Sequence, residues 1–300
     1  MTLLEAITKN VLLADGAMGT QLQQSGLHPG GCGEAWNIDQ PERVLAIQRA
    51  YVDAGSDCLI TNTFGGSRIM LDRHGEGHRT RDINIAGARL ARLAFGSAGG
   101  FVLGDIGPFG GLMEPYGEIS VGLVEQAFAE QASALVEGGV DAVIIETQTS
   151  LDELGIAIQA AKNAGAACVI GSMAFDRMVE GEEVRTMMGT SPEMAAEFMV
   201  EAGCDILAAN CGTGIDMRMA ADIARRYRSI TGLPVMAQPN AGLPVLENLK
   251  VLYKETPDEM ASGMDELLSA GVRIVGGCCG STPAHIRKFR EVLDENHART

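Results

Sequence analysis

The chain has 300 residues, 46% hydrophobic and 21% charged, enough for one large α/β barrel or two average domains around a sizeable core. A formal charge of −16 leaves no basic face for nucleic acid, and no run reaches the roughly 18–20 apolar residues of a membrane span. Met1–Thr2–Leu3–Leu4–Glu5 puts a carboxylate where a secretory leader carries cations, so a cytoplasmic location is expected.

Eight short apolar runs are expected to be strands. In chain order they cover residues 11–15, 58–62, 101–105, 142–146, 168–171, 206–210, 234–238 and 273–276. Helical patterns lie between and after them, over 41–54, 80–98, 122–137, 151–164, 191–202, 216–229, 257–270 and 283–296. A recurring phrase joins helix to strand: Asp53–Ala54–Gly55–Ser56–Asp57, Glu137–Gly138–Gly139–Val140–Asp141, Glu201–Ala202–Gly203–Cys204–Asp205 and Ser269–Ala270–Gly271–Val272, with a looser copy at Asn163–Ala164–Gly165. Each copy reads as an Ala-rich helix stopped by a glycine C-cap, followed by a strand buried on both faces. Ser191–Pro192 and Thr282–Pro283 place a capping hydroxyl before a proline at the first helical position. Eight alternating units with no linker-like shift in composition predict a (β/α)8 TIM barrel, one domain over residues 1–300.

A barrel of this kind carries its chemistry at the C-terminal ends of its strands. Polar residues gather there: Asp15–Gly16, Asn62–Thr63, Asp105–Ile106–Gly107, Glu146–Thr147, Ser172, Asn210–Cys211, Gln238–Pro239–Asn240 and Cys278–Cys279. Asp15 and Glu146 have no cation close in sequence and suit an ammonium group or a general base; for Asp15, the N-cap of the following helix-like run is the competing role. Thr63 and the backbone amides of residues 16–19 suit a carboxylate.

Seven cysteines in a chain read as cytoplasmic are expected to stay reduced. Cys58, Cys168 and Cys204 lie in or beside apolar runs and read as small buried hydrophobes, and Cys32 as a loop thiol. Cys211, Cys278 and Cys279 fall at the mouths of strands 6 and 8, roughly 10 Å apart at a strand spacing of about 4.8 Å, within reach of one shared ion. Gly276, Gly277 and Gly280 would let the backbone turn so that adjacent cysteines converge. Buried core thiols or a vicinal disulfide are the alternatives. Three thiolates around Zn2+ carry a net charge of −1, poor for activating water and suited to binding a fourth thiol as thiolate, which points to alkyl transfer onto a substrate sulfur.

Together, Asp15–Gly16–Ala17–Met18–Gly19–Thr20, Thr61–Asn62–Thr63–Phe64, Gly104–Asp105–Ile106–Gly107–Pro108, Glu146–Thr147, Asn210–Cys211, Gln238–Pro239–Asn240–Ala241–Gly242 and Gly276–Gly277–Cys278–Cys279–Gly280 resemble the homocysteine S-methyltransferase family, and within it the homocysteine-binding module of cobalamin-dependent methionine synthases, here as a stand-alone chain. The resemblance implies methylation of L-homocysteine to methionine with one Zn2+ per chain held by Cys211, Cys278 and Cys279. It implies that Asp15, Gly16, Thr63 and Glu146 hold the amino-acid end of the substrate, and that Asn240 offers an amide oxygen to the metal when no substrate is bound. Folate, cobalamin and reactivation modules are not expected within these 300 residues. The methyl group is therefore expected from a corrinoid-binding (cobalamin-type) protein in trans. A stand-alone enzyme using S-methylmethionine or a betaine is the alternative, with Tyr116 or Trp36 as the sparse means of an aromatic cage. A zinc- or thiol-binding subunit without catalysis is the non-enzymatic reading. The Gly-rich segments 28–33 and 113–120 are expected as lids or plain loops over the mouth.

Overall fold

Apolar runs without alternation need cover on both faces, and the chain supplies it by wrapping helices around a closed ring of strands. The computed structural model describes residues 1–178, 183–247 and 250–299. Its eight parallel strands are β1 (Leu12–Leu13), β2 (Cys58–Ile60), β3 (Phe101–Ile106), β4 (Ala142–Gln148), β5 (Val169–Met173), β6 (Ile206–Asn210), β7 (Val235–Gln238) and β8 (Val272–Val275). They pair in the order β1–β8–β7–β6–β5–β4–β3–β2, which brings β1 back beside β2. The predicted (β/α)8 barrel is the observed fold.

No ladder joins β1 to β2; one backbone bond and two aspartate side chains close that seam. Asp57 N–H donates to Leu13 O at 2.7 Å, Leu13 N–H to Asp57 Oδ2 at 2.8 Å, and Ile60 N–H to Asp15 Oδ2 at 3.0 Å. Asp15 is therefore a seam residue and not a helix cap: the next helix, Met18–Gln24, begins at Ala17 without a side-chain cap. The aspartates of the repeated phrase share one task. Asp141 Oδ2 accepts from Val102 N–H at 2.7 Å and Asp205 Oδ2 from Val169 N–H at 2.8 Å, as Asp57 does from Leu13. Each satisfies the first free amide of the preceding strand, so the phrase pins strands in pairs at the N-terminal end.

Within the ring, alternate strand residues face inwards and are apolar at the lower end: Leu12, Cys58, Leu103, Ala142, Ile144, Ile170, Ile206, Met236 and Ile274 form one buried cluster. An N-terminal helix, Leu3–Lys9, started by a Thr2/Glu5 capping box, adds Leu3, Ala6 and Ile7 to that cluster and plugs the floor. A second, larger cluster lies between the strands and the outer helices.

Three features depart from expectation. β1 is two residues long rather than five, because beyond Ala14 the chain turns to form the site. The helix expected over 257–270 is two, Pro257–Ala261 and Met264–Ser269: the Ser262 hydroxyl donates back to Glu259 O at 2.6 Å, and a Cβ on Gly263 would stand 2.4 Å from Met217 Cβ. The loops after β5 and β7 carry short antiparallel hairpins, Asp176–Arg177 with Val184–Arg185 and Pro244–Glu247 with Lys250–Tyr253. Among the described residues, no helix is long and apolar enough to cross a membrane.

Candidate active site

At the upper end of the barrel the inward positions turn polar: Asp105, Glu146, Ser172, Asn210 and Gln238 are all buried there. Asp105, Glu146 and Gln238 border a cavity of about 370 Å3 whose wall also includes Asp15, Gly16, Glu34, Thr147 and all three mouth cysteines. A hollow of about 440 Å3 on the outer helical face, beside Arg81, Arg89 and Glu137, is larger but meets no strand end.

The sulfurs of Cys211, Cys278 and Cys279 lie within 4.8 Å of one another, with Cys211 to Cys279 at 4.0 Å. Cys58, Cys168 and Cys204 are buried, as expected of core thiols, and all seven cysteines are free. Backbone bonding builds the triad. Cys278 N–H donates to Pro239 O and Ala241 N–H to Cys279 O, both at 2.9 Å, while Cys211 N–H donates to Gln238 O at 3.2 Å. Of the three glycines around Cys278 and Cys279 only Gly280 is left-handed, at φ +81°; Gly276 and Gly277 instead allow close packing, since a Cβ on Gly277 would stand 2.4 Å from Ser281 Oγ. Cys211 itself adopts φ +57°, and Thr147, at the end of β4 two strands away, φ +59°.

Asn210 ties these turns together. Its Oδ1 accepts from Thr147 N–H at 3.0 Å and Ser172 Oγ at 2.7 Å; its Nδ2 donates to Thr147 Oγ1 at 2.7 Å and lies 3.8 Å from Cys278 Sγ. Within the triad, hydrogen bonds from Cys211 and then Cys278 hold the Cys279 thiol down to about 3, whereas Cys278, shared between Cys211 and Cys279, is pushed well up. Burial raises the carboxyls opposite: Asp15 and Asp105 stand well above the usual carboxylate range, and Glu146 is raised to about 7 by burial and by Cys211.

Cys211, Cys278, Cys279, Asp15, Gly16 and Glu146 meet at this one cavity, and Thr63 and Asn240 do not line it. Thr63 is wholly buried behind the wall, its hydroxyl bonded to Asp105 O at 2.8 Å and paired with Thr61 Oγ1 at 2.6 Å. Asn240 sits between the two residues stitched to Cys278 and Cys279, and its Nδ2 donates to Gly212 O at 3.0 Å while its buried Oδ1 has no partner. Gly31 and Gly33, from the first expected lid, join the wall; Tyr116, from the second, is 79% exposed and outside it. Trp36 is outside too, with Arg43 5.1 Å above its ring. Glu34 and Tyr253, next to Cys279, gave no motif signal, the first from a glycine-rich loop and the second from an unforeseen hairpin.

The donor set fits a zinc ion. A tetrahedral ion with Zn–S bonds near 2.3 Å requires sulfurs about 3.8 Å apart, a spacing close to that of Cys211 and Cys279, and the partnerless Asn240 oxygen is a further donor beside the triad.

Residues 12–293 match the sequence profile of homocysteine S-methyltransferases. The chain belongs to the homocysteine S-methyltransferase family. It is thus a methyltransferase by family. The chain is 32% identical to methionine synthase of Mycobacterium tuberculosis (strain ATCC 25618 / H37Rv) over 301 residues, covering 95% of this chain and 25% of that protein. It is also 32% identical to methionine synthase of Mycobacterium leprae (strain TN), covering 95% and 24%. The chain thus spans about a quarter of the length of these relatives. Its fold is that of the homocysteine methyltransferase MmuM from Escherichia coli in its metallated form, with a TM-score of 0.77, 21% identity and coverage of 96% of this chain and 99% of that one.

Proposed function

We propose that this barrel holds one Zn2+ through Cys211, Cys278 and Cys279 and methylates L-homocysteine to methionine, taking the methyl group from a corrinoid-binding protein that seats on the mouth. The observation that carries the reading is a three-thiol cluster facing a carboxylate wall across one cavity. A zinc ion bound there would lower the pKa of a substrate thiol, so that the thiolate exists at neutral pH.

The chain's own residues do the rest. Asp15 and Glu146 receive the ammonium end, Gly16 leaves room beside Ser281 and Tyr51 for the chain to turn under it, and Thr63 braces the wall from behind. Asn240 would supply its amide oxygen to the metal before the thiol arrives. In the transfer the substrate sulfur's electron pair forms a bond to the methyl carbon. The bond from that carbon to its donor breaks with its electron pair left on the donor, and the thiol proton passes to solvent.

Two features of the mouth favour a macromolecular donor. Leu112 and Tyr116 after β3, Met187 and Met188 after β5, and Leu243 and Leu246 after β7 are all more than half exposed on the loops around the opening, an apolar rim of the kind that meets a protein surface. Phe64 is the one aromatic ring among the described residues of the cavity wall, too few for a cage around a betaine.

A donor screen on zinc-loaded protein tests the reading: turnover of homocysteine with methylcobalamin, and none with S-methylmethionine or glycine betaine, is expected. The reverse pattern makes this a stand-alone enzyme with a small donor, and no turnover with any of them leaves a zinc- or thiol-binding subunit. Cys278→Ala is expected to abolish stoichiometric zinc as well as transfer; retained zinc with full activity would remove the metal assignment.

A further inference from the structure

The cavity wall contains four carboxylates, Asp15, Glu34, Asp105 and Glu146, and among the described lining residues no lysine, arginine or histidine. Their oxygens are not equivalent. Glu34 is engaged, its Oε1 accepting from Gly65 N–H at 2.7 Å and its Oε2 3.7 Å from Cys32 Sγ. Asp15 has one oxygen on Ile60 N–H and leaves Oδ1 buried without a partner. Asp105 is 3% exposed, and its Oδ1 is likewise buried without a partner.

The backbone under Asp105 is held far more closely than an idle side chain requires. Its N–H donates to Thr61 Oγ1 at 2.9 Å, and its carbonyl accepts from Thr63 Oγ1 at 2.8 Å and Gln131 Nε2 at 3.2 Å. Two threonines and a glutamine from the neighbouring strand end and an outer helix thus fix a residue whose carboxyl shares a hydrogen bond with Glu146 and leaves its buried Oδ1 without a partner. Supporting groups arranged around an unsatisfied side chain are what a binding site needs to keep that side chain aimed.

The chemistry of the gap selects its occupant. Gln238 Oε1, also on the wall, is a third buried acceptor without a partner. A ligand that fills such a place brings donors and positive charge and no acceptor of its own, which describes a primary ammonium. A metal ion is a poorer match: among the described residues the only group of three ligand atoms close enough for one ion is the cysteine triad.

We propose that Asp105 is a further carboxylate of the ammonium subsite and sets the preference for thiols that carry an α-ammonium group over thiols that lack one. The proposal rests on the homocysteine reading above and adds a residue to it. Asp105 and Glu146 repel each other in a site without a cation, and burial and that repulsion both push Asp105 well up. An arriving ammonium relieves both, whereas a thiol without one leaves the buried oxygens unpaired, and sites built to bond a substrate N–H discriminate strongly for that reason.

The test uses calorimetric binding to the zinc-loaded protein, which needs no methyl donor. L-Homocysteine is compared with 4-mercaptobutanoate, the same thiol and carboxylate without the amine. Asp105→Asn, nearly isosteric, is expected to weaken homocysteine about 10–100-fold, as for loss of a charge-assisted hydrogen bond, and to leave 4-mercaptobutanoate within about twofold. Zinc content and the melting temperature of the substrate-free protein are expected not to fall, because the asparagine amide can still donate to Glu146 as the Asp105 carboxyl does. Equal weakening of both thiols, unchanged discrimination, or a variant that fails to fold would each overturn the proposal, the last because it would show a structural carboxyl. A wild-type protein that binds neither thiol removes the homocysteine reading itself, and that arm contains no variant.

Discussion

Asn210→Ala should cost the barrel about 3–4 kcal/mol, since it removes three side-chain hydrogen bonds at once and strands the Thr147 amide and the Ser172 hydroxyl. Two of those bonds also hold Thr147 at φ +59°, where a β-branched residue carries strain of about 1–2 kcal/mol that nothing else in the turn balances. Ser172→Ala removes only one bond and should cost about 1 kcal/mol. In urea, with a slope of about 3 kcal/mol per molar for a chain of this size, the two midpoints should fall by about 1 M and about 0.3 M. The assay is unfolding of metal-free, reduced protein followed by circular dichroism. The zinc-loaded variant should also lose metal to a chelator about 10-fold more readily, because Asn210 orients the turn that carries Cys211. Equal midpoint shifts for the two variants would refute the reasoning, since they would mean that the Thr147 contacts contribute nothing.

Two further expectations rest on single contacts. Glu153 is buried with only Phe109 N–H on its carboxylate, at 2.8 Å, and burial raises it to about 7 from 4.5. A raised folded-state pKa gives stability that is complete below about 4.5 and lost as pH rises to about 7, so Glu153→Gln should gain on the wild type across that window by up to about 3 kcal/mol; denaturant midpoints that move in parallel with pH would contradict it. Asp141→Ala and Asp205→Ala should each cost about 2 kcal/mol by stranding a buried strand amide, even though Asp141 also pairs with Arg92 and Asp205 with no arginine among its described hydrogen bonds. A neutral Asp205→Ala in thermal melts would show that the arginine pair, and not the backbone bond, is what matters.

The barrel was legible because its signals are local. Val143–Ile144–Ile145 and Ile206–Leu207 are apolar on both faces only if both faces are covered, and a glycine stop recurs before several of the strands. Cys278 and Cys279 were legible as a pair since their chemistry does not depend on register. What the sequence hid is what depends on contacts across the ring. Asp15 looked as much like a helix cap as a site residue, and only closure of the β1–β2 seam shows why it stands there. Thr63 was expected at the substrate and does not line the cavity, because its neighbour Thr61 and the carbonyl of Asp105 claim its hydroxyl. Asp105 passed as one strand-end polar residue among eight, and its missing partner is a property of three dimensions. The hairpin after β5 was invisible for another reason: a ladder of two residues, Asp176–Arg177 with Val184–Arg185, is too short to carry a period.

The site's position follows from an energetic asymmetry along the barrel axis. Below, the inward positions are Leu, Ile, Ala, Cys and Met, sealed by the helix Leu3–Lys9, and they stabilise the ring by burial alone. Above, the same strands present raised carboxyls, partnerless oxygens and two left-handed non-glycine residues, each of which costs stability. A sequence consistent at every level would have continued the apolar pattern to the top, and Asp105, Glu146 and Asn210 interrupt it near the C-terminal ends of three strands. The interruption has two chemical poles, acidic oxygens and clustered thiols, facing one cavity. A ligand that relieves both must carry a cation and a soft, thiol-like atom in one small molecule, which is the description of an amino thiol.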